Sequence, residues 1–254
     1  MARAILYDST LCVGCRECEK ACSEGKKLPY NEKVAAEETV SSHKLTAVRT
    51  HGERFSRKLC MHCLDPACAS VCPVAALEKT AAGPVVYHPE RCMGCRYCMV
   101  ACVYQVPSYQ WEARLPLIQK CDMCADRTAP DAVTRCSEAC SFEATITGER
   151  HELVEIARKR MAEKPNDYYP KIYGIEEVGG TSVLVIAGVP FEQLGYPSSV
   201  AKAALPNYTW AALQYVPDIA VVGAVLLGGI HWITHRREEV SRVEGAAAGR
   251  EVPQ

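Results

Sequence analysis

Sixteen cysteines constrain the fold of this 254-residue chain more than any other feature of its sequence. They form four runs of four, so that none is left over. In the first stretch, CVGCRECEKAC, the spacing of the cysteines follows the pattern CxxCxxCxxxC. Run 1 to run 4 are, in chain order, Cys12, Cys15, Cys18 and Cys22; Cys60, Cys63, Cys68 and Cys72; Cys92, Cys95, Cys98 and Cys102; and Cys121, Cys124, Cys136 and Cys140.

Cysteines at this density serve disulfides, zinc sites or iron–sulfur clusters. Disulfides between such close neighbours would strain the loops, and zinc sites leave the third cysteine of CxxCxxCxxxC without a role. The same unit is the bacterial ferredoxin pattern, in which three thiolates hold one [4Fe–4S] cluster and the fourth ligates its neighbour. The spacing therefore predicts four [4Fe–4S] clusters. A zinc-structured interaction module without redox function is the alternative from a different class.

The runs differ in regularity. Run 2 has four residues between its second and third cysteines, and run 4 has eleven. Pro73 follows Cys72 as in the ferredoxin pattern, whereas the other runs lack this proline. Gly14 and Gly94 stand between the first two cysteines of runs 1 and 3, where glycine permits a tight turn and a close approach to a cluster.

The segments between the runs indicate how they pair. PVAALEKTAAGPVVYHPER, between runs 2 and 3, predicts a helical turn, a Gly-Pro turn and a short strand, PVVY. This is the internal repeat of a ferredoxin, so runs 2 and 3 are expected to form one two-cluster module. Runs 1 and 4 then form the other by exclusion. Sequential pairing stays open, because the gap between runs 3 and 4 is also ferredoxin-like.

The order of the runs, the insertion in run 4 and the stretches CMGCRYCMVAC and QKCDMCADR resemble a known family. They are similar to the four-cluster electron-transfer subunits of membrane-bound oxidoreductases, above all formate dehydrogenase beta subunits and related hydrogenase iron–sulfur subunits. The resemblance covers most of the chain. It implies an α+β fold in which residues 1–150 form two ferredoxin-like 2[4Fe–4S] modules related by a pseudo-two-fold axis, followed by a single transmembrane helix.

The resemblance also implies a crossed set of ligands, in which the last cysteine of each run serves a different cluster from the other three. The implied sets are Cys12, Cys15, Cys18 and Cys140 for cluster 1; Cys22, Cys121, Cys124 and Cys136 for cluster 2; Cys60, Cys63, Cys68 and Cys102 for cluster 3; and Cys72, Cys92, Cys95 and Cys98 for cluster 4.

The expected function is electron transfer without catalysis by this chain, since GxSxG, HExxH and P-loop motifs are all missing from the sequence. The resemblance implies a catalytic partner, a molybdenum or tungsten formate dehydrogenase, and a membrane cytochrome b that passes electrons to quinone. A [NiFe] hydrogenase or another molybdopterin oxidoreductase is the alternative partner. The net charge of −1 does not favour a nucleic-acid partner.

Two side chains beside the cysteines have an open role. Lys120 precedes Cys121, and an ordinary surface lysine is expected there, with contact to a cluster as the alternative. His62 lies inside CMHC and is expected to pack or to face solvent, because the cysteines already complete the ligand count.

Residues 151–216 are expected to form a helix and a connector that pack on the cluster domain. The stretch 151–165 has Leu153, Ile156, Ala157 and Met161 on one helical face, and Pro165 is expected to end the helix. A strand is predicted over residues 182–186.

Residues 217–235 are predicted to form a transmembrane helix. The segment is apolar except for His231 between residues 219 and 233, and Trp210, Tyr215 and Trp232 suit the membrane interface. His231 is left without an assigned haem or quinone contact. A packed helix of a soluble polyferredoxin is the alternative.

The charges on either side of this helix predict its orientation. Arg236, Arg237, Arg242 and Arg250 follow the helix, so the positive-inside rule puts the tail of residues 236–254 in the cytoplasm and the cluster domain on the periplasmic face. The first residues contain neither an apolar signal region nor a twin arginine. The expectation is therefore export of the folded domain with a partner that carries the signal, as formate dehydrogenase beta subunits do.

Overall fold

The structure is a computed structural model, and it describes residues 2–127, 129 and 132–248. The chain divides after Pro206 into two compact units. The strands are β1 (Arg3–Asp8), β2 (Ala47–His51), β3 (Arg54–Lys58), β4 (Leu77–Lys79), β5 (Val85–Tyr87), β6 (Ser108–Tyr109), β7 (Ile118–Gln119), β8 (Thr145–Glu149) and β9 (Val183–Ile186). The helices are α1 (Glu17–Lys26), α2 (Ala67–Ser70), α3 (Tyr97–Ala101), α4 (Arg135–Glu138), α5 (Arg150–Glu163), α6 (Leu205–Leu213) and α7 (Val216–Ala248).

Strand β1 lies at the centre of a three-stranded sheet with the order β8-β1-β9. It pairs antiparallel with β8 and parallel with β9, so both of its edges are hydrogen-bonded. Every β1 residue after Arg3 is buried. A strand covered on both faces reads as a continuous apolar run rather than an alternating one, which explains the sequence AILY.

The two faces of β1 pack against different parts of the first unit. Ala4 and Leu6 contact the core that contains Leu153 and Ala157 of α5. Ile5 and Tyr7 face the larger core, which includes the cysteines Cys18, Cys60 and Cys136. The period of two along a strand therefore separates the helix side of the sheet from the cysteine side.

A two-stranded antiparallel hairpin lies between each pair of successive runs. β2 pairs with β3 between runs 1 and 2, β4 with β5 between runs 2 and 3, and β6 with β7 between runs 3 and 4. The strand predicted at PVVY is present as β5. A short hairpin therefore connects each run to the next.

Helix α5 covers nearly the segment predicted from the apolar pattern. Leu153 and Ala157 are buried as expected, and Met161 packs against the same core. Ile156 is 38% exposed, so its assignment to the buried face was wrong. Strand β9 begins one residue after the predicted start and matches the predicted end.

The second unit is helical where the sequence predicted a connector followed by one helix. Helix α6 occupies the end of the expected connector, and α7 continues through Arg236 and Arg237 instead of ending there. Ion pairs from Arg236 to Glu239 and from Arg242 to Glu238 support the added turns. Arg250 lies outside the described residues.

The helical segment Leu205–Gly245 is long and apolar enough to cross a membrane, and none of its most apolar window is buried. Trp210, Tyr215 and Trp232 are all more than half exposed. His231 is also exposed, with its ring centroid 5.9 Å from that of His235. The second unit therefore provides one candidate membrane span in the described part of the chain.

Candidate iron–sulfur centres

The first three cysteines of run 1 surround one cavity together with the last cysteine of run 4. Cys12, Cys15, Cys18 and Cys140 all line this first cavity. Cys18 reaches this cavity from α1. Burial raises the pKa of Cys18 to about 12, the nearby thiol of Cys136 acts in the same direction, and the charge of Arg57 opposes both. The loop and helix of run 1 thus bring three thiols to one side of the cavity.

The fourth cysteine of run 1 lines a second cavity instead. Cys22 lies one turn beyond Cys18 on α1 and meets three cysteines of run 4, Cys121, Cys124 and Cys136. Burial raises the pKa of Cys22 to about 12, and the thiols of Cys136 and Cys124 act in the same direction. One helix therefore supplies a thiol to each of two neighbouring cavities.

A third cavity combines run 2 with the last cysteine of run 3. Cys63, Cys68 and Cys102 line it. Burial raises the pKa of Cys63, and it raises the pKa of Cys68 to about 12. In both cases the next largest contribution comes from the thiol of Cys60. Cys60 also belongs to the buried core against which Cys63 and Cys102 pack.

The remaining four cysteines also lie together. Burial raises the pKa of Cys98 to about 11, and the next contributions come from Cys92, Cys95 and Cys72. Cys98 belongs to a small core with Leu77 of β4, Val85 of β5 and Ile118 of β7. Two hairpins thus support this group.

The chemistry of the cysteine groups fits an iron–sulfur core, which takes four cysteine ligands. In the first and second cavities all four cysteines of one implied set line the same space.

Backbone N–H groups donate to two of these sulfurs, and one hydroxyl lies within hydrogen-bond distance of a third. Ala76 donates to Cys72 Sγ at 3.2 Å, and Met123 donates to Cys121 Sγ at 3.3 Å. The Thr134 hydroxyl lies 3.3 Å from Cys136 Sγ. Such hydrogen bonds stabilise thiolates and raise the potential of the cluster that they hold.

Gly14 and Gly94 adopt the same left-handed conformation, with φ of +73° at both. A Cβ at Gly14 would overlap the ring of Phe55, and one at Gly94 would lie 3.1 Å from the Tyr109 hydroxyl. Glycine suits this conformation, although His62 and Met123 adopt φ of 48° and 54° at the same place in runs 2 and 4. Both glycine loops are covered by an aromatic side chain from the adjacent hairpin.

Lys120 is not the surface lysine that the sequence favoured. It is 6% exposed, and its ammonium group donates to the carbonyl oxygens of Val85 and Cys121. A lysine whose ammonium has two carbonyl partners can be buried at lower cost. Its charge lowers the pKa of Cys68, although burial and the Cys60 thiol have larger effects that raise it.

His62 is packed, as expected, and fully buried. Its Nδ1 accepts a hydrogen bond from Val85 N at 2.8 Å, so the neutral ring carries its proton on Nε2. Nε2 has no hydrogen-bond partner within the described residues. Burial, together with the charges of Lys120 and Lys79, lowers the pKa of His62 well below its usual value.

The cysteine groups and the paired short hairpins define an iron–sulfur protein of the ferredoxin-like dicluster class. Residues 52–150 match the family described as "4Fe-4S dicluster domain". The chain is 37% identical to the hydrogenase-2 operon protein HybA of Escherichia coli O157:H7, over 76% of this chain and 72% of that protein. It is 32% identical to the nitrate-inducible formate dehydrogenase iron–sulfur subunit of Escherichia coli K12, over 72% of this chain and 67% of that protein.

A third relative is the B subunit of the anaerobic dimethyl sulfoxide reductase of Haemophilus influenzae, 33% identical over 64% of this chain and 88% of that protein. The chain belongs to the family of iron–sulfur electron-transfer subunits of oxidoreductase complexes, which includes these relatives. This confirms the resemblance drawn from the cysteine runs.

Proposed function

We propose that each of the four cysteine groups holds one [4Fe–4S] cluster, with the crossed ligand sets that the resemblance implies. The support is that the first and second cavities are each lined by the four cysteines of one set. Pairing of runs 1 and 4, and of runs 2 and 3, gives two modules within residues 1–150, related by a pseudo-two-fold axis. Of the segment 151–216, the part within the first unit, residues 151–206, then packs on this domain.

The neighbouring groups suggest a linear order from cluster 1 to cluster 4. Helix α1 carries Cys18 and Cys22, which belong to the first and second groups. Cys60 of the third group and Cys136 of the second belong to one buried core, against which Cys121 packs, so the second and third groups adjoin. Helix α3 carries Cys98 and leads into Cys102, which belong to the fourth and third groups.

Apolar side chains are exposed at both ends of this order. Val13 and Phe142 line the first cavity and are 50% and 51% exposed. Met93, Tyr97 and Val100 surround the loop of run 3 and are 65%, 60% and 88% exposed. Electron exchange with another subunit requires a short distance at each end, and these surfaces suit protein contacts there.

The proposed function is a relay of electrons between a catalytic subunit and a membrane subunit that reacts with quinone. The observation that carries it is the succession of four groups of thiols, each with at least one buried cysteine, between two exposed ends. When bound, the clusters supply one-electron redox chemistry. The chain's residues hold the groups, exclude water from them and set their electrostatic surroundings, and this chain carries out no catalysis itself.

We further propose that α7 crosses the membrane once, in the region of residues 217–235, with the cluster domain on the periplasmic face. The exposure of its apolar side chains supports a lipid environment. Arg236, Arg237 and Arg242 follow the apolar stretch, as expected at a cytoplasmic end. Carbonate washing tests this anchor: a chain released without detergent would indicate a soluble polyferredoxin.

The proposed catalytic partner is a molybdenum or tungsten formate dehydrogenase, and the proposed acceptor is a membrane cytochrome b. A hydrogenase is the second candidate, and the observation in its favour is that the identity to the hydrogenase-2 relative, 37%, is higher than the 32% to the formate dehydrogenase relative. Assay of the detergent-solubilised complex with formate and with hydrogen separates them. Oxidation of hydrogen but not formate would overturn the first assignment.

The experiment that tests the relay is purification of this chain from membranes in mild detergent, with mass spectrometry of its partners and analysis of iron and zinc. A large molybdopterin subunit, a cytochrome b and iron with acid-labile sulfide are expected. Zinc without iron would overturn the relay in favour of a structural zinc module. A hydrogenase large subunit among the partners would still support the relay but would identify hydrogenase as its electron donor.

A further inference from the structure

Arg57 occupies an unusual position between two of the cysteine groups. It lies in β3 and is 1% exposed, which makes it one of the most deeply buried large side chains of the structure. It lines the first cavity and also lines the second. A single guanidinium group therefore faces two neighbouring sites at which the proposed function requires bound clusters.

The hydrogen bonds of Arg57 leave its charge without a protein counterion. One terminal nitrogen donates to Thr145 Oγ1 at 2.9 Å and the other to Thr46 Oγ1 at 3.0 Å. Nε has no hydrogen-bond partner within the described residues, and no carboxylate there forms an ion pair with Arg57. Burial of an unpaired cation is costly, so the negative charge that offsets it must come from the cavities.

The lining of the two cavities offers Arg57 no carboxylate partner. Among the described residues that line them, Asp122 is the one carboxylate, and it pairs with Lys26 at 2.6 Å rather than with Arg57. Anionic sulfur in the cavities is therefore the negative charge that can offset the guanidinium.

We propose that Arg57 is a positioning residue for electron transfer, holding a fixed positive charge between clusters 1 and 2 that raises the reduction potential of both. This inference rests on the proposed ligand sets. Reduction of either site adds one electron, and hence one negative charge, beside the guanidinium. Coulomb attraction in a poorly solvated interior then favours the reduced form, and the potentials of such sites depend on nearby charge and hydrogen bonds.

The alternative role for Arg57 is purely structural, since its two threonine partners come from β8 and from the segment before β2. The two roles predict different behaviour for variants at this position. Lysine keeps the charge and loses the forked hydrogen bonds, whereas glutamine loses the charge and keeps a donor. If the charge matters, the lysine variant resembles the native protein; if the fork matters, both variants fail alike.

The experiment is an anaerobic redox titration of the intact complex, followed by electron paramagnetic resonance, for the native chain, Arg57→Gln and Arg57→Lys. Signals are assigned to sites from Cys12→Ser and Cys22→Ser variants. We expect Arg57→Gln to shift the midpoints of the first two sites to more negative values and to leave the other two unchanged. Arg57→Lys should restore most of the shift.

Unchanged midpoints in Arg57→Gln would overturn the proposal, as would an equal shift of all four sites or equal shifts in both variants. Arg57→Gln could lose the iron of the first two sites. In that case, iron retained in Arg57→Lys would support the role of the charge, and iron lost from both variants would overturn the proposal. A native chain without iron would instead overturn the proposed function, so the two failures are distinguishable.

Discussion

The loops of run 1 and run 3 share a backbone but differ in their surroundings. Both follow the pattern CxGCRxC, with the glycine at φ of +73° and the arginines, Arg16 and Arg96, at φ of 62° and 64°. Arg16 donates to the Gly14 and Val48 carbonyls, whereas Arg96 lies over the rings of Tyr109 and Trp111. The cysteine spacing therefore fixes the loop, and the neighbouring hairpin decides its environment.

The position after the third cysteine shows the same contrast. In run 1 it is Glu19, which is 1% exposed, accepts a hydrogen bond from Val48 N and pairs with the buried Lys44 at 2.8 Å. In run 3 it is Met99, which packs at the edge of a small apolar core. Equivalent places in the two loops are thus held by an ion pair in one and by apolar contact in the other.

The strongest test of the comparison removes the crossed ligand of each loop. Cys22→Ser is expected to abolish the site of Cys121, Cys124 and Cys136, because Cys22 lines that cavity. Its electron paramagnetic resonance spectrum and iron content should match those of Cys121→Ser. Cys102→Ser is the matched change in run 3 and should match Cys60→Ser.

The outcome that would contradict crossed ligation is a Cys22→Ser spectrum that matches Cys15→Ser. The result would then indicate that run 1 closes its site with its own fourth cysteine. The two loops would still share a backbone, but the pairing of runs 1 and 4 would be lost.

The second test concerns the ion pair between Glu19 and Lys44, at a position where run 3 has Met99. Glu19→Ala leaves Lys44 buried without this partner, and we expect a loss of about 3 kcal/mol, as for other broken buried ion pairs. Met99→Ala should cost about 1 kcal/mol, since its side chain is only partly buried. Anaerobic thermal unfolding, followed through cluster absorbance, measures both.

A control variant separates the charge from the hydrogen bond. Glu19→Gln keeps an acceptor for Val48 N–H and loses the negative charge, so its loss of stability should be intermediate. Equal losses for Glu19→Ala and Met99→Ala would contradict the claim that the two positions are stabilised differently.

The sequence predicted the features that depend on spacing or periodicity. The cysteine runs predicted the family, which the relatives confirm, and the apolar pattern predicted α5, β5 and β9 within a few residues. The assignment of individual cysteines to clusters stays a prediction.

Features that depend on tertiary contacts were missed. Arg57 lies in RFSRK, where alternation gives no sign that a charged residue is 1% exposed. The burial of Lys120 could not be predicted, because its carbonyl partner Val85 is distant in sequence. Helix α7 continues beyond Arg236 and Arg237, because ion pairs between neighbouring turns stabilise the added turns. The positive charges alone therefore do not mark the end of the helix.

The third test adds one methyl group to each loop. Gly14→Ala and Gly94→Ala both place a side chain at φ of +73°, which costs about 1 to 3 kcal/mol. Gly14→Ala should cost more, because its Cβ overlaps the Phe55 ring, whereas at Gly94 the Tyr109 hydroxyl, 3.1 Å from the new Cβ, needs to move only slightly. The rate of cluster loss under anaerobic dilution measures both.

The double variant Gly14→Ala with Phe55→Ala checks this explanation. Removal of the ring should bring the effect of Gly14→Ala down to that of Gly94→Ala, measured against Phe55→Ala alone. A larger effect at Gly94 than at Gly14 would contradict the proposed role of the hairpin in covering the loop of run 1.

The smallest expected effect concerns the insertion that distinguishes run 4 from run 2. Asp126 pairs with Arg135 at 2.6 Å and with Lys26 of α1 at 3.0 Å, and these cations hold the pKa of the carboxyl well below its usual range. Asp65, in the shorter segment of run 2, forms no ion pair within the described residues. Asp126→Asn should therefore lower stability by less than about 1 kcal/mol, as for exposed pairs, and Asp65→Asn by nothing measurable.

The pH and salt dependence of this difference follow from the sign of the shift. A lowered pKa in the folded state gives stability that is present above the unfolded-state pKa, about 3.9, and is lost as the pH falls further. The difference between native and Asp126→Asn should thus stay constant from pH 8 to pH 5 and shrink at about 1 M salt. A difference that disappears between pH 8 and pH 5 would mean that another group titrates, and that the insertion is held by something other than this carboxylate.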